Sequence, residues 1–154
     1  MSSTSNYEVR PATPRDAGVI AEIDGQASQA HWRDAIEYCE PQICVALDQG
    51  QLIGFVGFDR SRDQGTPPTT GEIWHLKVSA SHLGQGVGLA LWDAAREGLL
   101  EEGCTSVTLW LGLADERALR FFELAGFKRE MNSIKTVPRG SARVEAMRLK
   151  RALN

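Results

Sequence analysis

The segment Leu76–Leu91 reads LKVSASHLGQGVGLAL, with glycines at positions 84, 86 and 88 ahead of an apolar run. The pattern predicts a strand, then a glycine-rich loop, then a helix that follows directly. The first turn of a helix has unpaired N–H groups, and glycines let an anion approach the backbone closely. The segment therefore predicts a phosphate site made of backbone amides and the positive end of a helix dipole. A tight turn that only joins a strand to a helix is the alternative interpretation.

Two other phosphate loops do not fit this segment. A dinucleotide-binding loop has the pattern G-x-G-x-x-G, but the residue three after Gly86 is Leu89. A P-loop requires Gly-Lys-Ser or Gly-Lys-Thr before its helix, and the chain contains neither. Leu83–Gly88 (LGQGVG) instead resembles the Q/R-x-x-G-x-G/A loop with which GNAT N-acetyltransferases bind the pyrophosphate of acetyl-CoA. Leu83 is a departure, since the family usually has Arg or Gln there.

A second segment resembles the same family. Asp115–Phe127 (DERALRFFELAGF) is similar to N-x-x-A-x-x-F-Y-E-x-x-G-F, which follows the fifth strand in GNAT enzymes. Its apolar residues recur at helical spacing, Asp115 is a suitable N-cap, and Gly126 is expected to end the helix. Residues 7–16 are similar to the family's opening strand and first helix, so the resemblance covers nearly the whole chain.

The elements along the chain agree with this resemblance. Hydrophobic periodicity and turn residues predict strands near 7–11, 43–47, 52–58, 72–78, 106–111, 127–136 and 142–150. Helices are expected from Pro14, at about 29–39, at about 86–102 and after Asp115. The order is β-α-α-β-β-β-α-β-α-β-β. The resemblance implies an α/β (α+β) GNAT fold, with a mixed, mostly antiparallel central sheet of about seven strands flanked by four helices. We expect residues 1–154 to form a single domain.

Composition narrows the classes of function. The 17 basic and 20 acidic residues give a net charge of −3, which does not favour nucleic acid or an anionic membrane as a partner. No apolar run reaches 18 residues and no signal peptide is recognisable, so we expect no membrane span and a cytoplasmic location. The three cysteines form no C-x-x-C pair and the three histidines show no metal spacing, so no metal site is predicted.

The resemblance implies that acetyl-CoA is the co-substrate. Backbone groups of Leu76, Lys77 and Val78 would bind its pantetheine arm, which can pair with a strand edge as a peptide does. The N–H of Val78, or one next to it, would stabilise the oxyanion formed from the thioester carbonyl. The Lys77 side chain is expected to be solvated. The remaining candidate cofactor contacts are Leu83, Gly84, Gln85, Gly86, Val87, Gly88, Asp115 and Phe122, although Asp115 is favoured as an N-cap.

Glu72 is the candidate general base. It precedes Val78 by six residues, where several GNAT enzymes have a glutamate, and it shares a strand face with Trp74. An alkylamine has a pKa of about 10.4, so only about one molecule in a thousand is neutral at pH 7. A carboxylate beside Trp74 in a dry cleft should have a raised pKa, which suits a base acting directly or through a water. An exposed glutamate at a strand start is the alternative, and His75 is a minor candidate that is expected to pack.

Phe122 stands where the family usually has the tyrosine that protonates the departing thiolate. A thiol leaving group with a pKa of about 8.5 does not strictly require an acid, so the reaction survives this loss in principle. Water, the substrate ammonium or another group would then protonate the thiolate, or the protein is a poor catalyst.

The leading hypothesis is an N-acetyltransferase that transfers the acetyl group of acetyl-CoA to a small-molecule primary amine by direct attack in a ternary complex. A protein or peptide N-acetyltransferase and a non-catalytic acyl-CoA-binding module are the alternatives. The acceptor is expected near residues 29–37, the start of strand four and the turn near 138–141. The sequence leaves open a homodimer. Candidate acceptor contacts are His31, Trp32, Arg33 and Trp74.

Overall fold

The structure is a computed structural model, and it describes residues 7–153. Within that range the predicted order of elements is confirmed. The strands are β1 (Glu8–Pro11), β2 (Gln42–Asp48), β3 (Gln51–Arg60), β4 (Thr70–Val78), β5 (Ser106–Gly112), β6 (Lys128–Arg139) and β7 (Ala142–Ala152). The helices are α1 (Ala17–Asp24), α2 (Gln29–Tyr38), α3 (Val87–Glu101) and α4 (Glu116–Leu124).

The described strands form one mixed sheet in the order β1-β2-β3-β4-β5-β7-β6. The pairs β1–β2, β2–β3, β5–β7 and β6–β7 are antiparallel, and β4 pairs with β5 in parallel. The predicted mixed, mostly antiparallel sheet of about seven strands and four helices is therefore confirmed.

The chain forms two compact units, which we describe separately. The N-terminal unit contains the residues up to Asp59 together with Ile73–Glu102. The C-terminal unit contains Arg60–Glu72 and the residues from Gly103 onward. The expectation of a single domain stays a prediction.

In the N-terminal unit, the first helix differs from the sequence prediction at its start. Pro14–Asp16 form a 3-10 turn, and the α-helix begins only at Ala17. The Asp16 carboxylate accepts hydrogen bonds from the Thr13 N–H at 2.8 Å and from Arg10 at 2.8 Å, and these bonds hold the tighter turn. Gly25 ends α1 in the left-handed conformation. The hydrophobic core beneath α1 and α2 includes Ala17, Ile20, Trp32, Val45 and Phe55.

Helix α3 follows the predicted range, but its buried face is rotated from the one that spacing alone favours. The sequence places Val87, Ala90, Leu91, Ala94 and Gly98 on one face. The structure instead buries Val87, Leu91, Trp92, Ala95 and Leu99. Gly98 lies against the ring of Phe58, and a Cβ at that position would be 2.6 Å from the ring. The wide Trp92 side chain moves the buried face, while Gly98 allows close packing at the other end.

In the C-terminal unit, β5 and β7 supply a core of fully buried residues, and α4 contributes Leu119 and Phe122. Asp115 caps α4 by accepting the Ala118 N–H at 3.3 Å, so its predicted N-cap role is confirmed. Gly126 follows the helix with φ +99°, as expected for the residue that ends it. The β-sheet part of this core consists of Val107, Leu109, Met147 and Leu149.

Candidate active site

The glycine loop adopts the backbone conformation that an anion site requires. Gly84 and Gly86 have φ values of +75° and +87°, and α3 begins immediately afterwards at Val87. Backbone N–H groups in successive turns of this kind form a concave donor surface at a helix N-terminus. A Cβ at either glycine would meet no atom within 4 Å, so the space beside both glycines is open. The residues present therefore fit a bound pyrophosphate.

Four side chains outside the sequence motif, those of Tyr7, Asp48, Ser81 and His82, hold this loop in place. The Tyr7 hydroxyl donates to the carbonyl of Gln85 at 2.9 Å. The His82 ring lies between the Asp48 carboxylate, 3.0 Å from Nε2, and the Ser81 hydroxyl, 2.7 Å from Nδ1. Sequence reasoning missed these supports because Tyr7 and Asp48 are far from the loop in sequence and belong to no motif.

The end of β4 that is expected to face the pantetheine arm is fixed by a buried carboxylate. The Lys77 ammonium donates to Asp24 Oδ1 at 2.9 Å, so the expectation that this side chain is solvated is wrong. Asp24 also accepts the Ala27 N–H at 2.9 Å and the Trp32 indole N–H at 3.2 Å. Burial alone would raise the pKa of Asp24, but these hydrogen bonds and the charge of Lys77 outweigh it and lower the pKa below its ordinary value.

Trp32 belongs to the core of the N-terminal unit. Its side chain is 1% exposed and packs against His75 and Phe55, with ring centroids 4.9 and 5.1 Å away. An acceptor cannot reach a side chain with so little exposed surface, so the expected contact with Trp32 is not supported. His75 packs as predicted, and burial lowers its pKa, which favours the neutral ring. His31 and Arg33 are exposed on α2, and their contact with an acceptor stays a prediction.

Glu72 lies in the C-terminal unit, where β4 pairs with β5. Burial raises the pKa of its carboxyl group, and the neighbouring charge of Asp63 raises it further. Hydrogen bonds from the Arg62 N–H and the Ser61 hydroxyl, with the charge of Arg148, act in the opposite direction without cancelling the shift. The expected raised pKa is confirmed in direction, although its causes include Asp63, which the sequence did not indicate. The role of Glu72 as a base stays a prediction.

Asp63 belongs to a polar network that the sequence did not reveal. Its carboxylate accepts the Trp110 indole N–H at 3.0 Å and lies 3.3 Å from Arg148. Arg148 also donates to Glu130. The loop between β3 and β4 is tied down by hydrogen bonds such as Thr66 to the Asp63 carbonyl at 2.7 Å. The side chains of the network come from four separate segments, so no local spacing could have grouped them.

Phe122 is a buried residue of the α4 core. Its ring is 5% exposed and packs edge-on against Phe121 and Phe127, with centroids 5.0 and 5.3 Å away. Neither tyrosine of the chain replaces the missing phenol on α4, since they stand at positions 7 and 38. A contact between Phe122 and the cofactor stays a prediction.

Neither a metal site nor a membrane-spanning helix is found among residues 7–153. In that part of the chain, no group of three or more His, Cys, Asp or Glu side chains has an arrangement that could hold a metal ion. No helix within the same range has both the length and the apolar character needed to span a membrane.

Comparison with known proteins identifies the family. The family model described as "Acetyltransferase (GNAT) family" matches residues 7–127. The chain belongs to the GNAT acetyltransferase family.

Curated GNAT relatives include a mycothiol acetyltransferase from Propionibacterium freudenreichii, 33% identical over 76% of this chain. N-acetyltransferase 8 of Rattus norvegicus is 31% identical over 55% of the chain. In both cases the match spans only 38% of the relative's own length.

Solved GNAT structures share the fold over nearly the whole chain. Ard1 from Thermoplasma volcanium has a TM-score of 0.82 at 21% identity, covering 97% of this chain and 99% of that one. The acetyltransferase yncA of Salmonella typhimurium, solved with its cofactor acetyl-CoA, has a TM-score of 0.83 at 16% identity, covering 97% and 95%. At these identities the likeness concerns the fold.

Proposed function

We propose that the protein is an acetyl-CoA-dependent N-acetyltransferase that acts on a primary amine of a small molecule. The observation that carries the proposal is the glycine loop, in which Gly84 and Gly86 have positive φ values directly before α3. Gly84 and Gly86 stand two residues apart directly before the helix, and successive backbone N–H groups in such turns can form an anion-binding concavity. Membership of an acetyltransferase family makes the pyrophosphate of acetyl-CoA the natural ligand for this loop.

Cofactor binding would rest mainly on backbone groups of the N-terminal unit. The amides of residues 83–88 would receive the pyrophosphate, and the backbone of Leu76–Val78 would pair with the pantetheine amides. Tyr7 and the His82–Asp48 pair would act indirectly by keeping the loop in its binding conformation. Such preorganisation lowers the entropy that binding must overcome.

Glu72 would accept the proton that the attacking amine loses. The nitrogen forms a bond to the acetyl carbon, the bond from that carbon to sulfur breaks, and the thiolate of CoA leaves. A carboxylate with a raised pKa is a better proton acceptor than an ordinary glutamate, which supports this assignment. A backbone N–H of Val78, or one next to it, would stabilise the charge that develops on the carbonyl oxygen.

A small-molecule acceptor is favoured over a peptide by the curated relatives. One of them is named mycothiol acetyltransferase, after a small molecule rather than a protein. His31, Arg33 and Trp74 remain the candidate acceptor contacts, whereas Trp32 is excluded by its burial. A peptide acceptor is the second candidate.

The test is a screen for CoA thiol release with acetyl-CoA and a panel of free amines and short peptides. We expect steady, amine-dependent release with a small amine and slower release with peptides. Thiol release without any amine is the control for hydrolysis. Binding of acetyl-CoA without release for any acceptor would support the acyl-CoA-binding module instead. Faster turnover on peptides would support the peptide acetyltransferase.

A further inference from the structure

The indole of Trp110 in the C-terminal unit has a carboxylate at its edge and a cation on its face. Its N–H donates to both oxygens of Asp63, at 3.0 and 3.3 Å. The ammonium of Lys135 lies over the ring, 4.0 Å from the centroid. An ammonium within about 6 Å of a tryptophan centroid is attracted by the electron-rich face. The ring therefore already holds an alkylammonium group, which the chain itself supplies.

The sheet register places carboxylates beside this ring. Trp110 pairs with Arg148 across β5 and β7, and Arg148 pairs with Glu130 across β7 and β6. Residues directly opposite each other on neighbouring strands share a face of the sheet. Glu72 pairs with Thr108, which lies two residues before Trp110 and on the same face. The ring is thus part of one polar face that also carries the candidate base.

The face around the ring carries charges of both signs. Asp63, Glu72 and Glu130 supply three carboxyl groups, Arg148 bonds to both Asp63 and Glu130, and Lys150, which pairs with Thr108, adds a cation farther along the face. The Arg148 guanidinium is farther from the ring centroid than Lys135, at 5.8 Å, and these bonds hold it there. The charge of Asp63 also acts on Glu72, so these carboxylates repel one another. An incoming ammonium could replace the Lys135 ammonium without changing the net charge of the site.

Lys135 reaches the ring because β6 is irregular. The register of β6 on β7 shifts between Glu130 and Lys135. The Ser133 hydroxyl stabilises this bulge by donating to the Glu130 carbonyl and accepting the Arg148 N–H at 2.8 Å. Lys135 itself is exposed, so its flexible side chain can leave the ring by rotamer changes without moving the strand.

We propose that the face of Trp110 is a subsite for a second, non-reacting ammonium of the acceptor, and that Lys135 occupies this subsite until the acceptor binds. A cation–π contact favours the charged form of an amine, whereas the nitrogen that attacks must be neutral. The ammonium over Trp110 is therefore not the one that is acetylated. The acceptor class is then a diamine or polyamine. This inference rests on the proposed N-acetyltransferase function.

The test compares two acceptors of equal length, 1,6-diaminohexane and n-hexylamine, at saturating acetyl-CoA. The kcat/KM for the diamine is first divided by two, because the diamine has two equivalent nitrogens. In the wild type this corrected value should be about 3- to 30-fold higher than the kcat/KM for n-hexylamine, which is the range that one cation–π contact supports. Trp110→Leu should reduce this ratio to about one. Lys135→Ala should raise the ratio because the internal competitor is removed. Arg143→Ala, which removes an exposed positive charge from β7, should leave the ratio unchanged.

Two further measurements distinguish failure of the Trp110 subsite from failure of the proposed acetyltransferase function. Trp110→Phe retains an aromatic face and should keep part of the preference if Trp110→Leu folds poorly. Tetramethylammonium should quench the fluorescence of the wild type but not of Trp110→Leu. Equal use of both amines by the wild type would overturn the subsite and leave the proposed function standing. Failure to acetylate any amine would overturn the proposed function, and absence of tetramethylammonium quenching would then overturn the subsite as well.

Discussion

The glycine loop of the N-terminal unit is expected to act through its backbone. The carboxylate cluster of the C-terminal unit (Asp63, Glu72 and Glu130) acts through its side chains. The loop is contiguous, and its expected binding groups are backbone amides held by the φ values of Gly84 and Gly86. The cluster is assembled from three separate segments, and all of its chemistry lies in side chains. A site made of backbone groups can therefore be recognised in a sequence, whereas a site made of side chains depends on the sheet that assembles it.

The largest expected effect comes from removing the candidate base. Glu72→Gln keeps the size of the side chain but cannot accept a proton, and loss of a general base typically lowers the rate by about 10²–10⁴-fold. We expect a loss of this order in kcat/KM near neutral pH. The loss should shrink at high pH, where the amine is already neutral. Steady-state kinetics between neutral and alkaline pH measure both.

A stability measurement controls for misfolding of this variant. The pKa of Glu72 is raised in the folded protein, so above the ordinary carboxyl pKa the folded state binds more protons than the unfolded state. Wild-type stability should therefore fall as pH rises through the folded pKa. Glu72→Gln lacks this contribution, so denaturant unfolding should show it gaining stability relative to wild type as pH rises. Wild-type rates in a folded variant would remove Glu72 from the mechanism.

A smaller change tests whether the cluster acts as a unit. Asp63→Asn removes a negative charge that raises the pKa of Glu72. In a plot of kcat/KM against pH, the rise on the acid side, which reports the ionisation of Glu72, should therefore move to lower pH. The control is Glu123→Gln, which alters an exposed carboxylate that pairs with Arg129 and should leave that rise in place. If the acid-side rise of kcat/KM in Asp63→Asn stays at the wild-type pH, a group other than Glu72 controls it.

Restoring the missing phenol should have a modest effect. Phe122→Tyr should leave acetyl-CoA affinity nearly unchanged and raise turnover by a small factor. The ring is buried, and a buried hydroxyl without a partner costs about 1–3 kcal/mol, so thermal unfolding should accompany the kinetics. A large loss of activity with unchanged stability would show that the shape of Phe122 matters more than acid chemistry.

Replacing Leu83, the residue at which the loop departs from the family pattern, should have the smallest effect. The Leu83 side chain is 44% exposed, and the amides of the loop are expected to bind the phosphates. Leu83→Ala should change the Kd for acetyl-CoA by less than about threefold, since exposed substitutions away from special features rarely exceed about ±0.5 kcal/mol. Isothermal titration calorimetry would detect a larger change, which would give this side chain a part in binding.

The sequence was sufficient for the order of elements, the glycine loop and the cap of α4, because each depends on local spacing. It misplaced the buried face of α3, since a bulky Trp92 and the contact of Gly98 with Phe58 are tertiary effects. It also missed the ion pair of Lys77 with Asp24, which joins residues 53 positions apart.

The candidate acceptor residues also show that local spacing does not predict tertiary contacts. The sequence places Trp32 at the site because it lies in the right segment, but helix α2 turns its side chain into the core. Asp63, Trp110 and Arg148 escape prediction because only the pairing of β5 with β7 and the loop before β4 bring them together.

Calorimetric titration of acetyl-CoA into three variants tests the division between backbone and side chains most directly. Gly86→Glu places bulk and charge in the loop, and Gly103→Glu is its matched control because that glycine also has a positive φ and open space around it. We expect Gly86→Glu to lose acetyl-CoA binding, and Gly103→Glu and Glu72→Gln to bind like the wild type. Retained binding in Gly86→Glu would mean that the loop does not bind the cofactor, and lost binding in Glu72→Gln would mean that a side chain of the cluster takes part in binding it.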